Sequence, residues 1–529
     1  MKIIRHIFLM SILFTGLFTS CTGDLDQYPH IEETGKTVYT SVENYKMALA
    51  KLYASFVICG QEKGGGNADF STNKGYDYMR SYINLQELPT DEVAYTWSGT
   101  IYNICQHKWD ASDIFVSDMY YQIYFTISIC NEFLRNATED RISGFSDSEK
   151  TKLRSFRSEA RFLRALAYSH ALDLFGNIPF VTEADPVGIR GFFPPQYSQK
   201  QVFDFLISEL SALEIELPES SQAEYGRVSK AAANSLLARL YLNAEVYTDK
   251  SYYTECIDAC NKIISNPFTL ENNYPLLFNA DNHLRTNEII FAFSIDATHT
   301  VSWGATSYLI CAAVSSSNKE QNPADYGVES GWTSFRAKGA LTSKFDDGDK
   351  RAMFFKKGQS QYVTTMKDAF TGYLFEKWTN LTDDGKAASN TAADGASTDF
   401  PLFRLSEIYL MYAEAVLRGG TDSKGNASAN ALNYVNKVRQ RAYGNNSGDI
   451  NAGQLTLNFI LDERARELHL ECTRRTDLIR FDKFTSGDYL WEFKGGVAEG
   501  KAIDTKYNLY PIPETDLSAN SNMKQNTGY

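Results

Sequence analysis

Apolar residues recur at helical spacing through much of the chain. Between Ser155 and Phe175, the residues Phe156, Ala160, Leu163, Ala167, His170 and Leu174 fall near one face, and Asn177-Ile178-Pro179 ends the pattern. Gln201 to Leu217 repeats it through Val202, Phe205, Leu206, Leu210 and Leu213, up to Pro218. Arg227 to Tyr247 is alanine-rich, with Ser229 as its N-cap, and Tyr252 to Ser265 follows as its partner before Asn266-Pro267. Far downstream, Leu405 to Leu417 and Ala427 to Ala442 predict a second helix pair. Ala413, Ala415 and Ala431 sit where two such helices would approach closely. Small residues recurring in paired helices point to tetratricopeptide-like hairpins.

The stretch from 268 to 399 differs in kind. It is rich in Asn, Gly, Ser, Asp and aromatics, with one strand-like run at Glu288 to Ile295. Within it, Gly385 to Ser397 is small and polar and reads as a mobile loop. A similar aromatic segment, Gly60 to Asp113, precedes the helical frame. Irregular insertions on a rigid frame are where binding residues tend to sit, so a ligand is expected at these two segments.

The first residues set the compartment. Lys2 and Arg5 precede an apolar run from Ile7 to Phe18 that is too short to span a bilayer and reads as a secretory signal over 1–20. Thr19 and Ser20 give the small side chains needed before a lipid-modified cysteine at Cys21, where several acyl chains would hold the protein stably at a membrane. An ordinary signal cut near Ser20 is the alternative. Removing the signal leaves 50 basic residues against 65 acidic ones, a net charge of about −15, which argues against nucleic acid as partner. Seven scattered cysteines remain after Cys21, an odd number that does not describe a disulfide scaffold. Cys256 and Cys260, four apart on a helix, read as small buried side chains rather than as metal ligands.

Three long motifs appear in order near the C-terminus. The first is Phe400-Pro-Leu-Phe-Arg404-Leu-Ser-Glu407-Ile-Tyr-Leu-Met-Tyr-Ala413-Glu414-Ala415. The second is Glu463-Arg464-Ala-Arg466-Glu467-Leu-His-Leu-Glu471, running on to Arg475-Thr-Asp477-Leu-Ile-Arg480-Phe481. The third is Tyr510-Pro-Ile-Pro513-Glu514-Thr-Asp516 with Asn526. With the upstream run Arg157 to Asn177, they resemble the SusD/RagB family of outer-membrane nutrient-uptake lipoproteins over essentially the whole mature chain. Glu87-Leu-Pro-Thr-Asp91-Glu92, Ser307-Tyr308-Leu-Ile-Cys311 and Tyr489-Leu-Trp491-Glu-Phe-Lys494-Gly-Gly496 are similar to the starch-binding type within that family. Asp24 and Asp26 also resemble the acidic export tag of surface-exposed Bacteroidetes lipoproteins.

The resemblance implies a mostly α fold in which four tetratricopeptide-like helical hairpins form the scaffold and a loop-rich insertion binds the ligand. It divides the chain into a signal peptide (1–20), an N-terminal region with the first hairpins and a ligand loop (21–225), a helical hairpin (226–267), a ligand-face insertion (268–399) and a C-terminal region (400–529). It further implies a lipid-anchored protein on the outer membrane that captures a glycan, with starch-like α-glucan favoured. The implied partner is a SusC-like TonB-dependent transporter, to which the glycan is delivered.

A sugar ring offers a C–H face and a rim of hydroxyls. Trp or Tyr covers the face, and Arg, Asp, Asn or Gln bonds to the rim. By the resemblance the aromatic arc falls on Tyr95, Trp97 and Trp303, with Arg80 as hydroxyl donor and Trp332 as a peripheral contact. Tyr95 stands for a tryptophan and Trp303 for a tyrosine. Thr100 stands for a sugar-binding asparagine, so the linkage read by this chain need not be identical. An acidic contact of the upstream loop has no clean counterpart, since Thr72 occupies its register and Asp69 lies nearby. Trp109, Trp378 and Trp491 read as packing residues, and the charged stretch Asp462 to Arg480 as a helix of structural ion pairs.

No enzyme is expected, and no cofactor. The chain carries no G-x-S-x-G, H-E-x-x-H or P-loop signature. A glycoside hydrolase, which needs only two flanking carboxyl groups, is the enzymatic alternative. A transporter lid that ignores free glycan is the other. Asp281 and Asp399 lie in loops able to lend oxygens to a structural calcium, although loop carboxylates are usually just solvated.

Overall fold

In the computed structural model, residues 38–60, 76–97 and 99–529 are described. The chain divides into a short unit ending at Tyr45 and a body from Lys46 to Tyr529, with the boundary inside a helix over Val42–Ala54. The body holds the scaffold and the candidate site.

This body is mostly helical. Its principal helices are α1 (Tyr78–Glu87), α2 (Ile114–Asn136), α3 (Asp147–Phe175), α4 (Gln199–Glu216), α5 (Lys230–Leu242), α6 (Tyr253–Ile264), α7 (Ala305–Ala313), α8 (Leu405–Leu417), α9 (Ala427–Tyr443), α10 (Leu457–Leu468) and α11 (Arg474–Arg480). Helices α1 to α6 pack in succession, each on the next, and the series continues from α6 onto α8 and from α8 onto α9. Among the described residues, no helix is long and apolar enough to cross a membrane.

Local chemistry fixes the ends of these helices. Capping boxes start α3 (Ser146 with Glu149) and α4 (Ser198 with Gln201), each satisfying backbone N–H groups that the first turn leaves open. Asp113 caps α2, accepting from the N–H of Phe115 and Val116. Helix α3 stops at Gly176, where φ is +71° and a Cβ would lie 2.8 Å from Leu509, so only glycine fits without displacing that side chain. The buried alanines Ala231, Ala232, Ala238, Ala413 and Ala415 let α5 and α8 approach their neighbours.

Strands are few and short. β1 (Val93–Tyr95) pairs antiparallel with β3 (Phe335–Ala337), and β2 (Ile289–Phe293) pairs with β4 (Phe400–Arg404) through a register irregularity around Phe291. The region 268–399 is thus mainly irregular chain that carries α7, β2, β3 and short turns of helix. The segment from Gly385 to Ser397 has no regular structure, but it is tied down rather than loose. Asn390 Nδ2 donates to the Ala297 carbonyl (3.1 Å), the Ser397 N–H to Asn380 Oδ1 (2.9 Å) and the Ser302 N–H to the Asp394 carbonyl (3.0 Å).

The charged stretch from Asp462 to Arg480 is not one helix. It breaks between α10 and α11, with Leu470 and Cys472 at φ +58° and +61°. No glycine or proline stands there. The cause is distant in sequence: Glu92 accepts the Leu470 N–H (3.0 Å) and Glu87 the Cys472 N–H (2.5 Å), drawing the backbone out of helix. The ion pairs expected of this stretch do form, and they are buried. Arg404 of β4 meets Glu288, Glu467 and Glu471 at 2.7–3.0 Å, while Arg351 meets Asp349, Glu463 and Glu467 at 2.7–3.2 Å. Arg439 and Arg466 add to Glu463, and Arg441 to Glu467 and Glu288. Burial alone would raise the Glu463 carboxyl, but the arginines around it hold it at about 2.

Glu87 and Glu92 behave in the opposite way. Burial raises both, Glu92 to about 7, and the charge of Glu92 pushes Glu87 up further, so the two titrate as a pair. A folded-state value above the unfolded one gives stability that is complete below about pH 4.5 and lost as pH rises through about 7. Glu92→Gln mimics the protonated partner permanently. Melting curves between about pH 5 and 8 should therefore show the wild type losing stability with rising pH, and the variant losing less of it.

Candidate functional site

Helix α1 opens on Asp77, whose side chain caps it by accepting the Arg80 N–H at 2.7 Å. Arg80 is therefore in the first turn. Its guanidinium lies between two tyrosine rings, 3.9 Å from the centroid of Tyr76 and 4.2 Å from that of Tyr308, with the Trp332 ring at 5.4 Å. Nη1 donates to the carbonyl of Trp303 (2.7 Å), and Nε is buried with no hydrogen-bond partner. Among the described residues no carboxylate lies within ion-pairing distance of it. The guanidinium is thus oriented by rings and a carbonyl, and it is itself only 5 % exposed.

Two indoles stand out beside it. Trp97 is 47 % exposed and Trp303 42 %, unusual for side chains of this size. The Trp97 ring N–H donates to the carbonyl of Trp332 (2.8 Å). Trp332 is half-buried, and its backbone N–H donates to the Cys311 carbonyl of α7 (2.7 Å). The residue after it, Thr333, has φ +57°, a strained conformation for a β-branched side chain. Arg80, Trp97, Trp303 and Trp332 are therefore joined through two hydrogen bonds and a ring–cation contact, although they come from three separate parts of the sequence.

Two of the expected contacts stand differently. Tyr95 is 1 % exposed; it lies in β1 opposite Phe335, with its ring edge-on to Trp97 (6.4 Å) and Phe335 (6.0 Å). A ring enclosed this way has no free face to offer a sugar, so Tyr95 is a wall behind Trp97 and not a third platform. Thr100 is exposed three residues beyond Trp97 and leads into a short helix, Ile101–Cys105, without a side-chain capping bond. Cys21, Asp69 and Thr72 lie outside the described residues.

Trp109, Trp378 and Trp491 are buried, as their reading as packing residues requires; Trp378 stacks on Phe400 at 5.6 Å and 4°. The loop acids do not converge. Asp281 accepts the Asp383 N–H (2.8 Å), Asp399 accepts the Ile295 N–H (2.6 Å), and among the described residues no three metal-ligating side chains group together. Tyr76, Asp77 and Tyr308 join the site without being among the residues that sequence reasoning picks out. The spacing Tyr76-x-x-x-Arg80 across the start of a helix is the available signal for the first of these.

Two exposed indoles above a largely enclosed guanidinium make a surface suited to a sugar: C–H faces against the rings, with the cation beneath them. A mostly helical scaffold carrying such an aromatic platform at its surface has the features of a carbohydrate-binding protein. The chain belongs to the SusD family. Residues 347–529 match the sequence family described as "SusD family", and residues 69–242 the one described as "Starch-binding associating with outer membrane". The "Starch-binding protein SusD" of Bacteroides thetaiotaomicron is 32 % identical over 585 residues, which take in 100 % of this chain and 99 % of that one. The "SusD-like protein" of Bacteroides ovatus is 25 % identical over 92 % of this chain and 84 % of its own. Among solved structures, "Surface glycan-binding protein A from Bacteroides thetaiotaomicron in complex with laminarihexaose" superposes with a TM-score of 0.68 at 18 % identity, covering 92 % of this chain and 100 % of that one. At that identity it speaks for the fold.

Proposed function

We propose that this protein is a surface lipoprotein, anchored through Cys21, that captures a starch-like α-glucan without cleaving it and hands it to a SusC-like TonB-dependent transporter. The observation that carries the reading is the pair of exposed indoles, Trp97 and Trp303, linked through Arg80 and Trp332, in a chain similar along its full length to a starch-binding protein. Trp97, Trp303 and Arg80 are the principal contacts, Trp332 borders them, and Thr100 lies at the rim. Tyr95 supports Trp97 from behind. A binding protein needs no acid–base pair, and the carboxyls that burial raises here, Asp77, Glu87 and Glu92, are all enclosed and bonded to backbone N–H groups.

Electrophoresis of the soluble, Cys21-lacking protein through native gels containing starch, dextran or laminarin tests this. Retardation by starch, with no reducing ends released on prolonged incubation, is the expected result. Retardation by dextran or laminarin alone would keep the site and replace the linkage; sustained release of reducing ends would replace binding by hydrolysis.

A further inference from the structure

We propose that Asp77 is the positioning residue of the glycan site: one buried carboxylate holds the Trp303 loop and the Arg80 turn as a single unit, so that the indole and the guanidinium are presented together. This role rests on the binding reading above. It follows from the number and placement of the bonds that the side chain accepts.

Capping a helix takes one acceptor, and Ser, Thr or Asn supplies it without burying a charge. Asp77 does more. It is completely buried, and besides the Arg80 N–H its Oδ1 accepts the Ala305 N–H (3.3 Å), while Oδ2 accepts the hydroxyl of Ser302 (2.7 Å). The Ser302 oxygen in turn accepts the Gly304 N–H (3.0 Å). The residues on both sides of Trp303 are thus fastened to one carboxylate. Trp303 itself is fastened by its carbonyl to Arg80, in the same first turn that Asp77 caps.

The backbone shows how tightly this is done. Ala305 has φ +43°, a conformation that residues with a Cβ rarely adopt. At Gly304 a Cβ would fall 2.1 Å from the Asp77 carboxyl atoms, so any other residue would have to displace that carboxylate. Within residues 302 to 305, the Trp303 ring is the one large apolar side chain left exposed. Burial raises the Asp77 carboxyl to about 6, which fits a group held for its two acceptor oxygens despite the cost of enclosing it.

The test is a comparison of Asp77→Ala, Asp77→Asn, Gly304→Ala and Trp303→Ala by calorimetric titration with maltoheptaose, an isomaltooligosaccharide and laminarihexaose. Asp77→Ala and Gly304→Ala should each weaken binding by about tenfold or more, the scale on which misplacing a hot-spot contact is felt. Asp77→Asn should stay within about threefold, because its carbonyl can still accept both N–H groups and its amide can donate to Ser302. A residue that served only as a helix cap would lower the melting temperature of Asp77→Ala without touching affinity, and would leave Gly304→Ala binding as wild type. If Trp303→Ala abolishes binding while Asp77→Ala and Gly304→Ala bind normally, the proposal is overturned and the site stands. If Trp303→Ala binds normally, or wild type binds none of the three, the site itself is wrong. Should Asp77→Ala fail to fold, Gly304→Ala decides the matter alone.

Discussion

Replacing Trp97 or Trp303 by alanine is expected to weaken glycan binding by about thirtyfold each, a loss of ~2 kcal/mol, the scale of an aromatic hot spot removed from an interface. Each presents an indole to solvent, Trp97 held through its ring N–H and Trp303 through its backbone carbonyl. Their truncation should therefore cost contact with the sugar and little stability. Tyr95 provides the contrast. As a buried wall it should tolerate Tyr95→Phe without loss of affinity, whereas Tyr95→Ala opens a cavity behind Trp97 and costs ~3–5 kcal/mol of stability. Calorimetric titration and chemical denaturation of the same variants separate the two effects. Equal loss of affinity from Tyr95→Phe and Trp97→Ala would restore Tyr95 as a platform.

The largest effect on stability is expected at Glu467. Its carboxylate lies within 2.5–3.2 Å of Arg351, Arg404 and Arg441, all of them buried. Removing it leaves several enclosed cations facing one another, and truncating one partner of a buried pair costs ~3–5 kcal/mol. Glu467→Ala should accordingly unfold at markedly lower denaturant, or fail to accumulate. Glu139→Ala, which breaks an exposed pair with Arg154, should leave the midpoint where it is. The pH dependence runs the same way. Glu463 and Glu467 are held below the ordinary carboxylate range by their arginines, so their contribution is present at neutral pH and lost as pH falls through their folded values, about 2 for Glu463. Similar midpoints for Glu467→Ala and Glu139→Ala would show that the network contributes nothing net.

The sequence discloses those helices that bury one stripe against a neighbour. The predicted start and end of α8 coincide with those observed, and α4, α6 and α9 lie within about two residues of their predicted spans. Helix α2 is less legible because its buried surface mixes Phe115, Met119, Ile123, Ile127 and Cys130 with the polar Asp118, Gln122, Thr126 and Asn131, which blurs the boundary between its faces. Helix α1 is hard to read for the same reason. Polar residues such as Asn84, Gln86 and Glu87 are enclosed in its core, where distant groups bond to them: the Tyr308 hydroxyl donates to Asn84 and the Cys472 N–H to Glu87. The break at Leu470 and Cys472 is equally invisible, since the carboxylates that cause it stand 378 and 385 residues earlier.

At the site, residue types and family resemblance point to Arg80, Tyr95, Trp97, Thr100, Trp303 and Trp332; the structure links Arg80, Trp97, Trp303 and Trp332, encloses Tyr95 and leaves Thr100 exposed. What they do not disclose is exposure. Tyr95 and Trp97 are two residues apart on one extended stretch, yet pairing with β3 encloses the first while the second stands clear. Asp77 is not legible because a carboxylate before a helix reads as a cap, and its second role depends on a loop that folds back from position 302.

The most direct measurement is isothermal titration of the soluble protein lacking Cys21 with maltoheptaose, run beside the doubly substituted Trp97→Ala/Trp303→Ala protein. Saturable binding heat is expected for the wild type and none for the double variant, whose melting temperature is unchanged. Silence from the wild type, or equal heat from both proteins, would contradict the binding reading.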